Sequence, residues 1–253
     1  MRHYFTILSQ EIRALLFSPI TYVTAVLFLL VMGGIFTVIL DDYSKQAQEV
    51  SPAVNFFASF WIPVFFMVPL LTMKTFAEER RMGTLETLLT SPVSTGEVVL
   101  GKFSAAYLFY LLLWGATASF HYILHVYAKD IRFLDSGPLL GGYLFVAVSG
   151  LLFVSIGVLA SALTRSYEVA AILTFTILFT LIFGFRFLGQ TNAMNTEFLH
   201  PFKSTVEALQ IFNHVEDFAH GVVDTRQMFF YVTGSVLTLI FSVLAVEYKT
   251  LNS

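Results

Sequence analysis

The sequence predicts an all-α membrane protein with six membrane-spanning helices. Three observations carry that expectation. Of the 253 residues, 57% are hydrophobic and 12% charged, whereas soluble domains carry about 25% charged residues. The apolar residues gather into runs of about 18–25, the length that a hydrocarbon core of about 30 Å requires. The polar residues fall into short stretches between those runs, which leave no room for a soluble domain of ordinary size. A net charge of −3 gives no reason to expect nucleic acid as a partner. The absence of cysteine excludes disulfides, thiolate metal sites and cysteine nucleophiles.

Residues 1–19 open the chain. Tyr4, Phe5, Leu8, Ile12, Leu15 and Leu16 recur at helical spacing, with Arg2, Gln10, Glu11 and Arg13 between them. This predicts an amphipathic helix lying in the membrane interface rather than a signal peptide. Pro19 marks the break before the first span. The spans are expected at Ile20–Leu40, Phe56–Met73, Ser104–Leu124, Leu139–Leu163, Val169–Leu188 and Met228–Val246. Pro63 and Pro69 predict a kink in the second. Gly33-Gly34, Gly115 with Ser119, and Gly157 with Ser161 are small residues at spacings that let helices approach closely.

Residues 189–227 form a long extracytoplasmic loop too apolar for a free linker. Ser204 with Glu207 and the stretch His214–His220, stopped by Gly221, each predict a short helix, and Asp224 with Gln227 can cap the last span. The two helices either form a re-entrant hairpin or lie on the surface.

Orientation follows from Lys and Arg. One side holds Arg2, Arg13, Lys74, Arg80, Arg81, Lys102, Arg165 and Lys249; the other holds Lys45, Lys129, Arg132, Arg186, Lys203 and Arg226. The bias is clearest in the loop after the second span. It places both termini and that loop in the cytoplasm.

That loop, within residues 74–103, is the most polar short stretch of the chain. Gly83 interrupts the helical pattern. Thr84 can cap a new short helix with Glu86 in its first turn, where the helix dipole favours an anion. Leu85, Leu88 and Leu89 give it one apolar stripe, and Pro92 stops it. Ser94 with Glu97 reads as a capping box opening the third span. A short rigid helix held between two spans suits docking against another protein; read from pattern alone, it suits a passive surface loop as well.

The run Glu79, Gly83, Thr84, Glu86, Leu88, Leu89, Pro92, Glu97, Gly101, Lys102 resembles the first cytoplasmic loop of ABC-2 type transporter permeases. The resemblance covers about 25 residues closely, and the hydropathy of the whole chain, 1–253, agrees with one transmembrane domain of that type. It implies a coupling helix seated in a groove of an ATP-binding cassette subunit, with docking contacts from Glu78, Glu79, Arg80, Gly83, Thr84, Leu85, Glu86, Leu88, Leu89 and Pro92. It also implies a second permease, identical or related, a bacterial cytoplasmic (inner) membrane location in contact with membrane lipid, export as the function, and ATP with Mg on the partner subunit but no cofactor in this chain. The run His214-Val-Glu-Asp-Phe-Ala-His-Gly-Val-Val-Asp resembles the corresponding loop of the gliding-motility, GldF-like branch of that family.

Other chemistry is sparse. No phosphate-binding G-x-x-x-x-G-K-[ST] loop is present, so any ATP hydrolysis belongs to a separate subunit. His121 and His125, at i and i+4, share a helical face and are candidates for metal or haem; Asp130, His214 or His220 would have to supply a third ligand. Arg186 is placed to reach the headgroups. The middles of the spans are almost bare of ionisable residues, which argues against a proton-coupled carrier or an ion channel. Two alternatives to a permease remain from other classes: a membrane anchor that recruits an ATPase to an envelope or motility machine, and an intramembrane metal or haem protein built on His121 and His125.

Overall fold

The structure is a computed structural model that describes residues 2–45, 50–84, 93–127, 136–190, 206 and 208–251. Among them there is no strand, and six helical segments are long and apolar enough to cross a membrane: Pro19–Lys45, Trp61–Met82, Thr95–Tyr127, Ser136–Leu163, Tyr167–Gln190 and Thr225–Tyr248. They are spans one to six below. Ser204 and Glu207, the predicted capping pair of a short helix, lie outside the described residues.

Helix α1 (Arg2–Phe17) precedes span one, and the chain turns at Ser18 so that Pro19 opens the next helix. A proline suits that position because its missing N–H has no intrahelical acceptor there. Of the predicted apolar stripe of α1, Tyr4, Leu8, Ile12 and Leu15 are partly buried. Ile7 is its buried residue, while Phe5, Leu16 and Phe17 point outward at 64%, 44% and 84% exposure. The apolar residues of α1 therefore serve two faces, one packed on the bundle and one free.

Span two departs most from expectation. Phe56 and Phe57 belong to a separate short helix, α2 (Pro52–Ala58). The span proper is α3 (Trp61–Thr72), a turn, and α4 (Ala77–Met82). Its interruptions fall beside Ser59–Phe60 and at Met73–Phe76. Pro63 lies in the first turn of α3, where a lost N–H costs little, and Pro69 is accommodated inside that helix.

Span four is the axis of the bundle. In its most apolar stretch 78% is buried, against 22% in span five. Spans two, three and six and a short helix α5 (Ile211–Ala219) all pack on it. Tyr110 and Trp114 of span three, Phe145 and Phe153 of span four, Phe60, Phe218 of α5 and Tyr231 of span six form a core in which each ring is nearly or fully buried. Span five contains a π-helical turn, Thr180–Gly184. Its Phe175, Phe179 and Phe183 meet Phe65 of span two at centroid distances of 5.4, 5.9 and 5.8 Å.

The small-residue pairs behave differently. Gly157 and Ser161 do meet span two: a Cβ at Gly157 would stand 2.2 Å from Thr72 Oγ1. Gly34 and Gly115 face open space, and a Cβ at Gly33 would reach only Phe120, at 3.7 Å.

Candidate functional site

The charged stretch begins on α4, at the end of span two. Its helix ends at Gly83, whose φ of 70° is the left-handed conformation that lets a chain leave a helix without a Cβ clash. Thr84 Oγ1 donates to the Glu79 carbonyl at 3.3 Å. Arg81, Met82, Gly83 and Thr84 are exposed. Leu85, Glu86, Leu88, Leu89 and Pro92 lie outside the described residues. The far side of the loop is ordered by the expected capping box: Ser94 Oγ accepts from the Glu97 N–H at 3.3 Å, and the Glu97 carboxylate accepts from the Ser94 N–H at 3.4 Å.

Lys102 is the centre of what holds this loop. Its side chain is only 2% exposed, and its Nζ donates to Glu11 Oε1 at 2.6 Å and to Glu79 Oε1 at 2.8 Å. A buried ammonium without such partners would be far too costly to keep charged. The Phe76 ring lies 5.5 Å from Nζ and adds a cation–π contact. The three charges come from three elements: α1, α4 and span three. Around them α1 packs closely on span three, because Gly101 has no side chain to meet Ile7, whose Cγ2 would lie 2.7 Å from an added Cβ. Tyr4 Oη also donates to Ser104 Oγ at 2.9 Å.

A second brace joins α4 to span four. Ser161 Oγ accepts from the Phe76 and Ala77 N–H groups at 2.9 and 3.1 Å and donates to the Met73 carbonyl at 3.0 Å. One hydroxyl thus satisfies backbone groups exposed by the turn in span two. Arg80 Nη1 donates to the Ala162 carbonyl at 2.6 Å and the Thr164 carbonyl at 3.3 Å. It caps the end of span four, where the last carbonyls lack helical partners and the dipole favours a cation.

Of the residues expected to contact a partner, Glu79 and Arg80 therefore hold this chain's own helices. Glu78 faces Lys74 at 3.6 Å, with both side chains partly exposed. The sequence reading missed Glu11 and Ser161 as members of the site. The available signal was Lys102 itself, a lysine within Val98-Val99-Leu100-Gly101-Lys102-Phe103 that needs a counter-charge from elsewhere.

The histidines are placed apart from this site. His121 is boxed by the rings of Phe36, Phe56, Phe57 and Tyr143 at 4.8–6.1 Å, with Nδ1 3.3 Å from the Thr117 carbonyl. His125 is exposed. His214 cannot serve them as a third ligand, because Nδ1 meets Tyr231 Oη and Nε2 meets the Ala208 carbonyl, both at 2.9 Å. Burial holds its imidazole below the usual pKa. No group of three or more His, Cys, Asp or Glu able to hold a metal is found among the described residues. Arg186 lies over the Phe212 ring at 4.4 Å and so ties span five to α5. Asp224 caps the last span as expected, its Oδ1 accepting from the Arg226 N–H at 2.8 Å, while Gln227 donates to Asp217 at 2.7 Å.

Six spanning helices, the fourth of them the most buried, define a multi-pass membrane protein, with Lys102 and its carboxylate partners where span two ends. A family model described as ABC-2 family transporter protein matches residues 5–248, and the chain belongs to that family: it is a permease subunit of an ABC transporter. Such permeases generally work with an ATP-binding cassette subunit. No curated protein sequence matches the chain significantly.

Proposed function

We propose that the chain forms half of the pathway of an ATP-driven exporter and that residues 78–92 dock on a separate ATP-binding subunit, which carries ATP and Mg. The observation that best supports this is Lys102, held between Glu11 and Glu79. A loop that must transmit force needs a stiff base, and this one is fastened to α1, span three and span four at once. Glu79 and Arg80 are then positioning residues, and the docking contacts fall to Glu78, Gly83, Thr84, Leu85, Glu86, Leu88, Leu89 and Pro92. Movement of the ATPase subunits would bias a two-state arrangement of two permeases, identical or related. Both termini and the loop face the cytoplasm of a bacterial cell, in its inner membrane, and the run from His214 supports the gliding-motility branch. Spans nearly free of mid-membrane charge favour an amphipathic substrate.

Charge reversal at Glu86 is the test. The Glu86→Lys chain is expected to insert normally and to lose transport while its partner still hydrolyses ATP. Wild-type transport would sink the docking reading. Because the chain has no cysteine, Thr84→Cys and Asp42→Cys each give a single label site for orientation. Thr84→Cys should react with an impermeant maleimide only after the cells are opened, and Asp42→Cys before.

A further inference from the structure

We infer that the cavity between α1 and the charged end of span two binds the headgroup of a membrane lipid carrying a primary amine, phosphatidylethanolamine in class. The cavity has a volume of about 250 Å³, and its walls come from α1, the start of span one, the end of span two and span three. Leu15 and Leu71 give it apolar surface, while Glu11, Thr21, Lys74 and Glu79 give it polar surface. The exposed Phe5, Leu16 and Phe17 set the outer face of α1 against lipid, so an acyl chain can reach the same edge.

Charge decides the headgroup. Of the charged residues lining the cavity, Glu11, Glu78 and Glu79 are acidic and Lys74 and Lys102 are basic. Lys74 faces Glu78 at 3.6 Å, which leaves Glu11 and Glu79 sharing the single ammonium of Lys102. The lining therefore holds one more carboxylate than cations. Hydrogen bonding points the same way. Two oxygens of lining residues, Glu79 Oε2 and Thr21 Oγ1, are buried with no hydrogen-bond partner, and Thr21 is only 2% exposed. Buried polar atoms are nearly always bonded. Both can accept, and a primary ammonium is a cation that offers three donors and no acceptor. A choline headgroup carries the same charge without an N–H and is the natural control. The inference stands on this cavity and not on ATPase docking, so failure of the Glu86 experiment leaves it untouched.

The test is native mass spectrometry of the full chain in mild detergent, titrated with dioleoyl phosphatidylethanolamine or dioleoyl phosphatidylcholine. The ethanolamine lipid should bind roughly tenfold more tightly, the factor expected from one charge-assisted hydrogen bond. Thr21→Val keeps the shape and removes a hydroxyl that bonds nothing in the protein, so the chain should fold and lose several-fold of that preference. Glu79→Gln should abolish the preference. Equal binding of the two lipids would overturn the inference, as would a preference untouched by both substitutions. Displacement of the lipid by an equal concentration of soluble glycerophosphoethanolamine would also overturn it, because the ligand would then be a free amine.

Discussion

The two ends of the bundle solve the same problem with different chemistry. At the end where span two terminates, helices are tied by charge and by hydrogen bonds to backbone: Lys102 between two carboxylates, Arg80 on the carbonyls of span four, Ser161 under the turn. At the opposite end most of the ties are rings, with a few hydrogen bonds among them. His121 sits in an aromatic box, Arg186 lies on Phe212, and α5 presses Phe218 against Phe145 with centroids 5.9 Å apart. Ionic and hydrogen-bonded ties have few, directional partners, so removing one atom breaks them. Interlocked rings lose little when one ring replaces another of similar size. The charged end therefore depends on a few single atoms, and the aromatic end on many interchangeable contacts.

Removing the central cation should have the largest effect. Lys102→Met leaves two carboxylates facing each other without a counter-charge and should cost about 3–5 kcal/mol, read from unfolding in mixed detergent micelles. A cost under about 1 kcal/mol would mean that the charged end is not what holds α1 to the bundle. Next comes Gly157→Ala, whose new Cβ would stand 2.2 Å from Thr72 Oγ1. Overpacking of this kind costs about 1–3 kcal/mol, and Thr72→Ala in the same chain should recover part of it.

At the aromatic end, Tyr231→Phe keeps the ring and removes the O–H that His214 Nδ1 accepts. The expected loss is about 1 kcal/mol. The same histidine predicts a pH dependence. Its folded pKa is lowered by burial from the ordinary 6.5, so the unfolded chain binds more protons in that range. Stability should be full above pH 6.5 and fall as the pH drops through that value. In His214→Gln that component should vanish; an unchanged slope would assign it to another group. His121→Phe should have the smallest effect, below about 1 kcal/mol, because a ring of similar size fills the same box. A large loss there would erase the contrast between the ends.

Much of this was legible in the sequence, and the misses have physical causes. The six spans, the helix at 2–17, the helix end at Gly83 and the Ser94–Glu97 box follow from local pattern, which is what single residues and their neighbours encode. The break at Ser59–Phe60 is invisible to hydropathy because the run through it stays apolar on both sides. The π turn at Thr180–Gly184 leaves no mark either, since every residue in it suits an ordinary span. Glu79 and Lys102 could be singled out, but not their bond to each other or to Glu11, because Glu11 lies 91 residues away from Lys102 in the chain. Long-range pairing of charges is a property of packing, and the pattern along one helix does not carry it.

That separation has a consequence for how the protein is made. Glu11 leaves the ribosome 91 residues before Lys102, and Glu79 leaves it 23 residues before. Both carboxylates are therefore already waiting when the lysine arrives at the head of an apolar segment. The lysine can be neutralised as span three enters the bilayer, so the helix need not carry an unpaired charge into place. A chain whose first helix failed to reach its position would meet that step without Glu11, so the order of synthesis and the closing of the cluster together select for chains assembled from the beginning forward.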